Sequence, residues 1–217
     1  MHLPPTPNVV VHLAFGVAAL AAGASALRAA KGGAAHRRRG RLAVLLGAVT
    51  AGTALLGVFL APVPPGLMAA TLSASYQLFA GARSALMRNR RPGGIDAAGA
   101  CAALVGVVLV ARSTGAANAS FSPIIEWSAL GWVAVVALYD VARPALSDAR
   151  WLRLRPLDHG LKMIGFYAAM ASAGLGNLLA FAQPWSSVAP IVLGTLGMLY
   201  VLLAHAVGRR AWAAAMP

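Results

Sequence analysis

Four residues on one stripe carry the clearest chemical pattern in this chain. His159, Met163, Met170 and Asn177 fall at i, i+4, i+11 and i+18, which is a single helix face. An imidazole one turn from a thioether suits haem iron or copper, since both metals accept nitrogen and soft sulfur ligands. The same residues also read as a methionine-lined packing face with His159 at the level of the headgroups, because methionine readily fills gaps between helices. His205 ends a later apolar run at the depth where His159 begins its own. Two histidines at one depth on facing helices are what bis-histidine ligation of haem b requires. Otherwise His205 is an interfacial residue beside Arg209 and Arg210.

Other polar groups sit in apolar surroundings, where each needs a partner or a purpose. His12 and Glu126 lie near one end of their runs, and Tyr76 and Gln77 lie near mid-depth with Ser73 and Thr50 close by. His12 is a candidate metal or haem ligand, or a proton-relay partner of Glu126. The plainer reading is a buried histidine bonded to Glu126 or to a backbone carbonyl. A lone histidine at that depth makes a poor metal site and disfavours a two-haem wire across the membrane. Asp140 and Arg143 are i, i+3, while Asp96 and Asp158 stand among cations of their own end. These acids read as ion-pair partners that fix loops, worth at most about 1 kcal/mol each where exposed. A catalytic carboxylate pair is the minority reading. The chain contains no phosphate loop, GxSxG, HExxH or CxxC, so no enzyme class is indicated.

The elements that must position these residues follow from composition. Of 217 residues, 59% are hydrophobic and 11% charged, with mean hydropathy +0.73. Soluble domains run nearer 45–50% apolar and about 25% charged. Seven apolar runs can be drawn over residues 8–27, 42–61, 66–85, 97–111, 124–141, 161–182 and 188–207. The expected fold class is all-α, a single polytopic transmembrane bundle of seven helices spanning residues 1–217. Pro62, Pro64, Pro65, Pro92, Pro123, Pro144 and Pro184 lie between runs, where proline ends helices.

Charge sets the threading. Of the 18 Lys and Arg residues, 17 lie in alternate loops, in groups at 28–41, 83–91, 143–162 and 209–210, and only Arg112 lies in the opposite set. Cations stay on the cytoplasmic side, so the N-terminus is expected outside and the C-terminus inside. The net charge of +13 is then a match for anionic headgroups on the cytoplasmic face, and nucleic acid is not an expected partner. Residues 1–8 hold no Lys or Arg, so the first run is expected to be a retained helix, not a cleaved signal. Asn118-Ala119-Ser120 matches a glycosylation sequon without meaning in a bacterial host. Cys101, the only cysteine, can form no intrachain disulfide. In the first run His12, Gly16, Ala19 and Gly23 share a face that should pack inward, since small residues let helices approach closely in lipid.

Several short motifs carry a resemblance. His12 stands early in the first helix. Lys31-Gly32 precedes His36-Arg37-Arg38-Arg39-Gly40, then come Tyr76, Gly81-Ala82-Arg83 and Asp96, and a later helix opens with His159-x-x-x-Met163. In these features the chain resembles a family of bacterial multipass membrane proteins of unknown function. The resemblance implies a seven-helix protein of the bacterial inner membrane, and marks His12, His36, Arg37, His159 and Met163 as candidates. It supplies no activity.

Three functions fit these observations. The first is a non-enzymatic membrane protein that binds haem b or copper, or serves as accessory subunit of a larger bioenergetic complex. The second is a small-molecule or proton-coupled transporter using Ser73, Tyr76, Gln77, Glu126 and His12. The third is a purely structural subunit, or homo-oligomer, packing through small-residue faces.

Overall fold

The computed structural model describes residues 6–87, 90–114 and 123–214. Seven helices follow one another: α1 (Pro7–Arg28), α2 (Ala34–Leu60), α3 (Pro65–Leu86), α4 (Gly94–Thr114), α5 (Pro123–Ala142), α6 (Asp148–Leu178) and α7 (Trp185–Ala214). Single 3-10 turns at Arg143–Ala145 and Ala180–Ala182 lie on either side of α6. No strand occurs among the described residues. The sequon at Asn118 and most of the loop after Arg112 lie outside those residues.

Proline and glycine place most boundaries. Pro7 and Pro65 occupy the first helical turn, where the missing N–H costs nothing. Pro123 opens α5. Gly32 has φ +74° and turns α1 into α2, a left-handed conformation that favours glycine. Two prolines depart from this pattern, Pro156 inside α6 and Pro190 inside α7.

Helix α6 begins at Asp148, far earlier than the expected 161. Its 31 residues measure roughly 46 Å at 1.5 Å per residue, against a hydrocarbon core of about 30 Å. Its first turns therefore reach past the apolar layer, where charged residues lower hydropathy without breaking the helix. Helix α4 is also longer than its apolar run, covering 21 residues.

Five helices, α1, α2, α4, α5 and α7, are long and apolar enough to cross a membrane. The two that fall short, α3 and α6, form the centre. Helix α3 packs against α2, α4, α5 and α6, and α6 against α1, α3 and α7. Nine of the 22 residues of α3 are buried, against three of 22 in α1. The large exposed apolar side chains lie mostly on the five outer helices, among them Leu13, Val17, Leu45, Phe59, Leu109, Val135 and Leu193. Such a coat of apolar surface suits lipid, and the chain is an integral membrane protein by this architecture. A central helix is shielded from lipid by its neighbours, so it can carry Ser73, Tyr76, Gln77 and Ser84 without facing hydrocarbon.

Small residues set the spacing. Gly16 lies against Thr50, with 3.5 Å from a Cβ position to Thr50 Cγ2, and Gly23 lies against the Tyr167 ring. Ala19 between them is buried. The face of α1 carrying His12, Gly16, Ala19 and Gly23 thus packs inward on α2 and α6. Gly47 of α2 takes the Phe166 ring, and Gly194 of α7 takes Ala168.

Candidate functional site

The most charged part of the interior lies where the ends of α3, α4, α5 and α6 meet. Helix α3 contributes Tyr76, Arg83 and Ser84, spaced i, i+7 and i+8 so that all three fall on one face. Helix α4 contributes Asp96 in its first turn. The end of α5 and the turn after it contribute Asp140 and Arg143, and α6 contributes Asp158 and Lys162, one turn apart.

Arg143 is the hub. Its Nη1 donates to Asp158 Oδ2 at 3.1 Å and to Ser84 Oγ at 3.1 Å. Its Nη2 lies 3.4 Å from Asp96 Oδ1 and its Nε 3.3 Å from Asp140 Oδ1. The buried Trp151 ring stacks 5.3 Å from the guanidinium carbon, and its indole N–H donates to the Arg90 carbonyl at 2.9 Å. Lys162 bridges two of the same carboxylates, 2.7 Å from Asp158 Oδ1 and in contact with Asp140 Oδ1. Arg83 grips Asp96 with both prongs, at 3.1 and 3.0 Å. Asp96 Oδ2 also accepts from the Gly93 N–H at 2.9 Å, which caps α4 in the manner of a capping box. Tyr76 donates to Asp140 Oδ2 at 2.6 Å, and the Ser84 hydroxyl donates to Asp158 Oδ2.

Three cations meet three anions, so the cluster is neutral. Every one of the six carboxylate oxygens has a partner. This balance is what allows Asp140, Arg143 and Lys162 to be only 1%, 2% and 3% exposed. An isolated buried charge costs several kcal/mol, and pairing recovers that only with good geometry. The aspartates therefore do more than fix exposed loops. Only Asp148, paired with Arg91, is an exposed loop pair of that kind.

Above the cluster lies a second polar layer. Gln77 Oε1 accepts from the Trp132 indole at 2.7 Å, and Gln77 Nε2 donates to Ser73 Oγ at 3.0 Å. Gly165 of α6 has no side chain because Gln77 occupies that space. Tyr76 and Gln77 are thus neighbours in sequence that serve two different layers.

The remaining candidates lie elsewhere. His159 Nδ1 donates to the Gly81 carbonyl of α3 at 2.8 Å. Met163 packs on the same glycine, where a Cβ would stand 2.9 Å from its sulfur. The His159–Met163 stripe is thus the contact face between α6 and α3. Extending the antiparallel register of Gly197 against Ile164 puts His205 opposite Pro156, about one turn from His159. The His205 Nε2 is buried and makes no hydrogen bond, and no hydrogen bond joins it to His159. Among the described residues no group of three His, Cys, Asp or Glu side chains is arranged to hold a metal ion.

His12 turns to α2, not to Glu126. Its Nδ1 lies 3.1 Å from both the Thr50 carbonyl and Thr53 Oγ1. Glu126 is buried at the start of α5, and its Oε1 has no hydrogen-bond partner. The two are separated because α1 packs on α2 and α6, whereas α5 packs on α3 and α4. His36 and Arg37 occupy the first turns of α2. The His36 Nδ1 donates to the Ala26 carbonyl at 3.0 Å, and the Arg37 guanidinium donates to the Gly32 carbonyl.

All loops rich in cations gather at one end. Arg91 pairs with Asp148 across the α3–α4 and α5–α6 connections, and both His36 and Arg155 lie close enough to His159 to act on it electrostatically. The sequence named each acid of the cluster but not its convergence. The available signal was spacing: Asp140 and Arg143, Asp158 and Lys162, and Tyr76 and Arg83 each fall on a helix face. Comparisons with protein-family models, curated proteins and solved structures find no match to this chain.

Proposed function

We propose that this protein is a membrane carrier for a small solute or for protons, closed at its cationic end by the Arg143 cluster. The observation that carries the reading is the buried neutral network that ties four different helices at one end. Among the described residues no ion pair ties the opposite ends, where Glu126 is buried without a partner for Oε1. Buried ion pairs return little net stability, because desolvation nearly cancels the attraction. That balance makes them poor glue and a good reversible latch, since water entering the site offsets their loss. Intramembrane ionisable groups serve transport paths and relays by default. The haem or copper reading draws less support, since His159 and Met163 are both engaged with Gly81.

The pairing of every carboxylate oxygen with a donor or cation favours a second reading, a fixed clamp in a structural subunit. Labelling separates the two. In a Cys101→Ala background, Ser73→Cys places a thiol at mid-depth on α3. Asp158→Asn weakens the latch, and Ser84→Ala removes one of its bonds while keeping charge balance. A latch predicts that a membrane-impermeant maleimide reaches residue 73 faster from the cationic face in either variant. Unchanged labelling in correctly folded Ser84→Ala and Asp158→Asn proteins establishes the clamp and removes the carrier.

A further inference from the structure

The acids of this chain are all accounted for. It has 18 Lys and Arg but 5 Asp and Glu. Asp96, Asp140 and Asp158 are held in the cluster, Asp148 pairs with Arg91, and Glu126 lies at the other end. Among the described residues no Asp or Glu side chain is left for the cations of the α1–α2 connection or for Arg150, Arg153 and Arg155 of α6. They are free to take a counter-charge from outside the chain.

Within this surface one place is built with more detail than the rest. Helices α1 and α6 meet where the Tyr167 hydroxyl donates to the Leu20 carbonyl at 3.0 Å and its ring lies on Gly23. One turn nearer the cationic end, the Ala26 carbonyl holds the His36 ring by Nδ1, and Arg39 donates to the Ser25 carbonyl at 3.1 Å. On α6, His159 and Arg155 are four residues apart and share a face. With Nδ1 of each histidine donating to a carbonyl, each Nε2 is an acceptor in the neutral ring and a donor to an anion only in the imidazolium form. The Arg155 Nη1 is buried and has no hydrogen-bond partner among the described residues. A guanidinium nitrogen so placed suits an anionic oxygen, and phosphate is its preferred geometric partner.

We propose that Arg155, beside His36 and His159, binds the phosphate headgroup of an anionic membrane lipid between α1 and α6. A lipid fits better than a soluble phosphate because exposed Leu27 of α1 flanks the same end and offers apolar surface to an acyl chain. Basic crevices between transmembrane helices on the cytoplasmic side recognise such headgroups. The site is separate from the Arg143 cluster and does not depend on the carrier reading.

The test uses the full chain in nanodiscs of phosphatidylcholine with increasing phosphatidic acid, with lipid retention read by native mass spectrometry after mild detergent extraction. The wild type should retain phosphatidic acid over phosphatidylcholine. Arg155→Gln should weaken retention about fivefold, the effect of roughly one interfacial cation, and Arg155→Lys should restore part of it. Arg38→Gln, an exposed cation away from the crevice, should change it little. Thermal unfolding of Arg155→Gln without anionic lipid should match the wild type, which separates binding from folding. Equal losses for Arg38→Gln and Arg155→Gln mean diffuse surface attraction and overturn the site. Competition by inorganic phosphate as effective as by lipid overturns the lipid assignment.

Discussion

Removing the Lys162 ammonium should be far more damaging than removing a surface lysine, and removing Asp158 with it should cost little more. Lys162 is 3% exposed and lies between Asp140 and Asp158. Lys162→Met leaves three buried carboxylates facing two guanidinium groups. Asp158→Asn leaves three cations facing two carboxylates. Either change strands one unit of charge in a buried site, which costs roughly 3–5 kcal/mol. The double variant is neutral again, with Arg83 and Arg143 facing Asp96 and Asp140. Its loss should be close to that of one single variant, so the two singles should fail to add by about 3 kcal/mol. The assay is reversible unfolding in mixed micelles, followed by tryptophan fluorescence, since Trp151 stacks directly on Arg143. Additivity within about 0.5 kcal/mol refutes the reasoning. So do single losses below about 1 kcal/mol, the value of exposed pairs.

Three further outcomes follow from particular contacts. Gly165→Ala should destabilise the protein by about 1–3 kcal/mol through overpacking, because Gln77 fills the space where the Cβ would go; thermal unfolding with the Trp132 emission measures it. His12→Ala should cost about 1 kcal/mol through its bonds to Thr50 and Thr53, while Glu126→Gln should leave that loss unchanged in the double variant. In a Cys101→Ala background, single cysteines at the exposed positions Ala35 and Ala61 should react with an impermeant maleimide from opposite faces, residue 35 from the cytoplasmic one.

Helix number was legible in the sequence because apolar length and proline placement are local properties. The inward face of α1 was legible too, because Gly16, Ala19 and Gly23 repeat at helical spacing next to His12. The start of α6 at Asp148 was not, because hydropathy falls where a helix leaves the apolar layer even though the hydrogen bonding continues. The His159–Met163 stripe was legible as a stripe, but spacing cannot say what faces it. Only the packed structure puts Gly81 there. His12 and Glu126 were matched by depth alone, and depth does not determine which helices are neighbours.

By itself the sequence determined that this chain lives in a membrane, that its helices alternate in direction, and that its cations share one end. Those follow from the transfer free energies of single residues, which act regardless of what lies across the interface. Only the tertiary structure decided that α3 and α6, the two helices outside the set of apolar spans, stand at the centre, and that Asp96, Asp140 and Asp158 converge on Arg143 and Lys162. Pairing between charges depends on distance and burial, and both come from how four helices pack, not from any one of them.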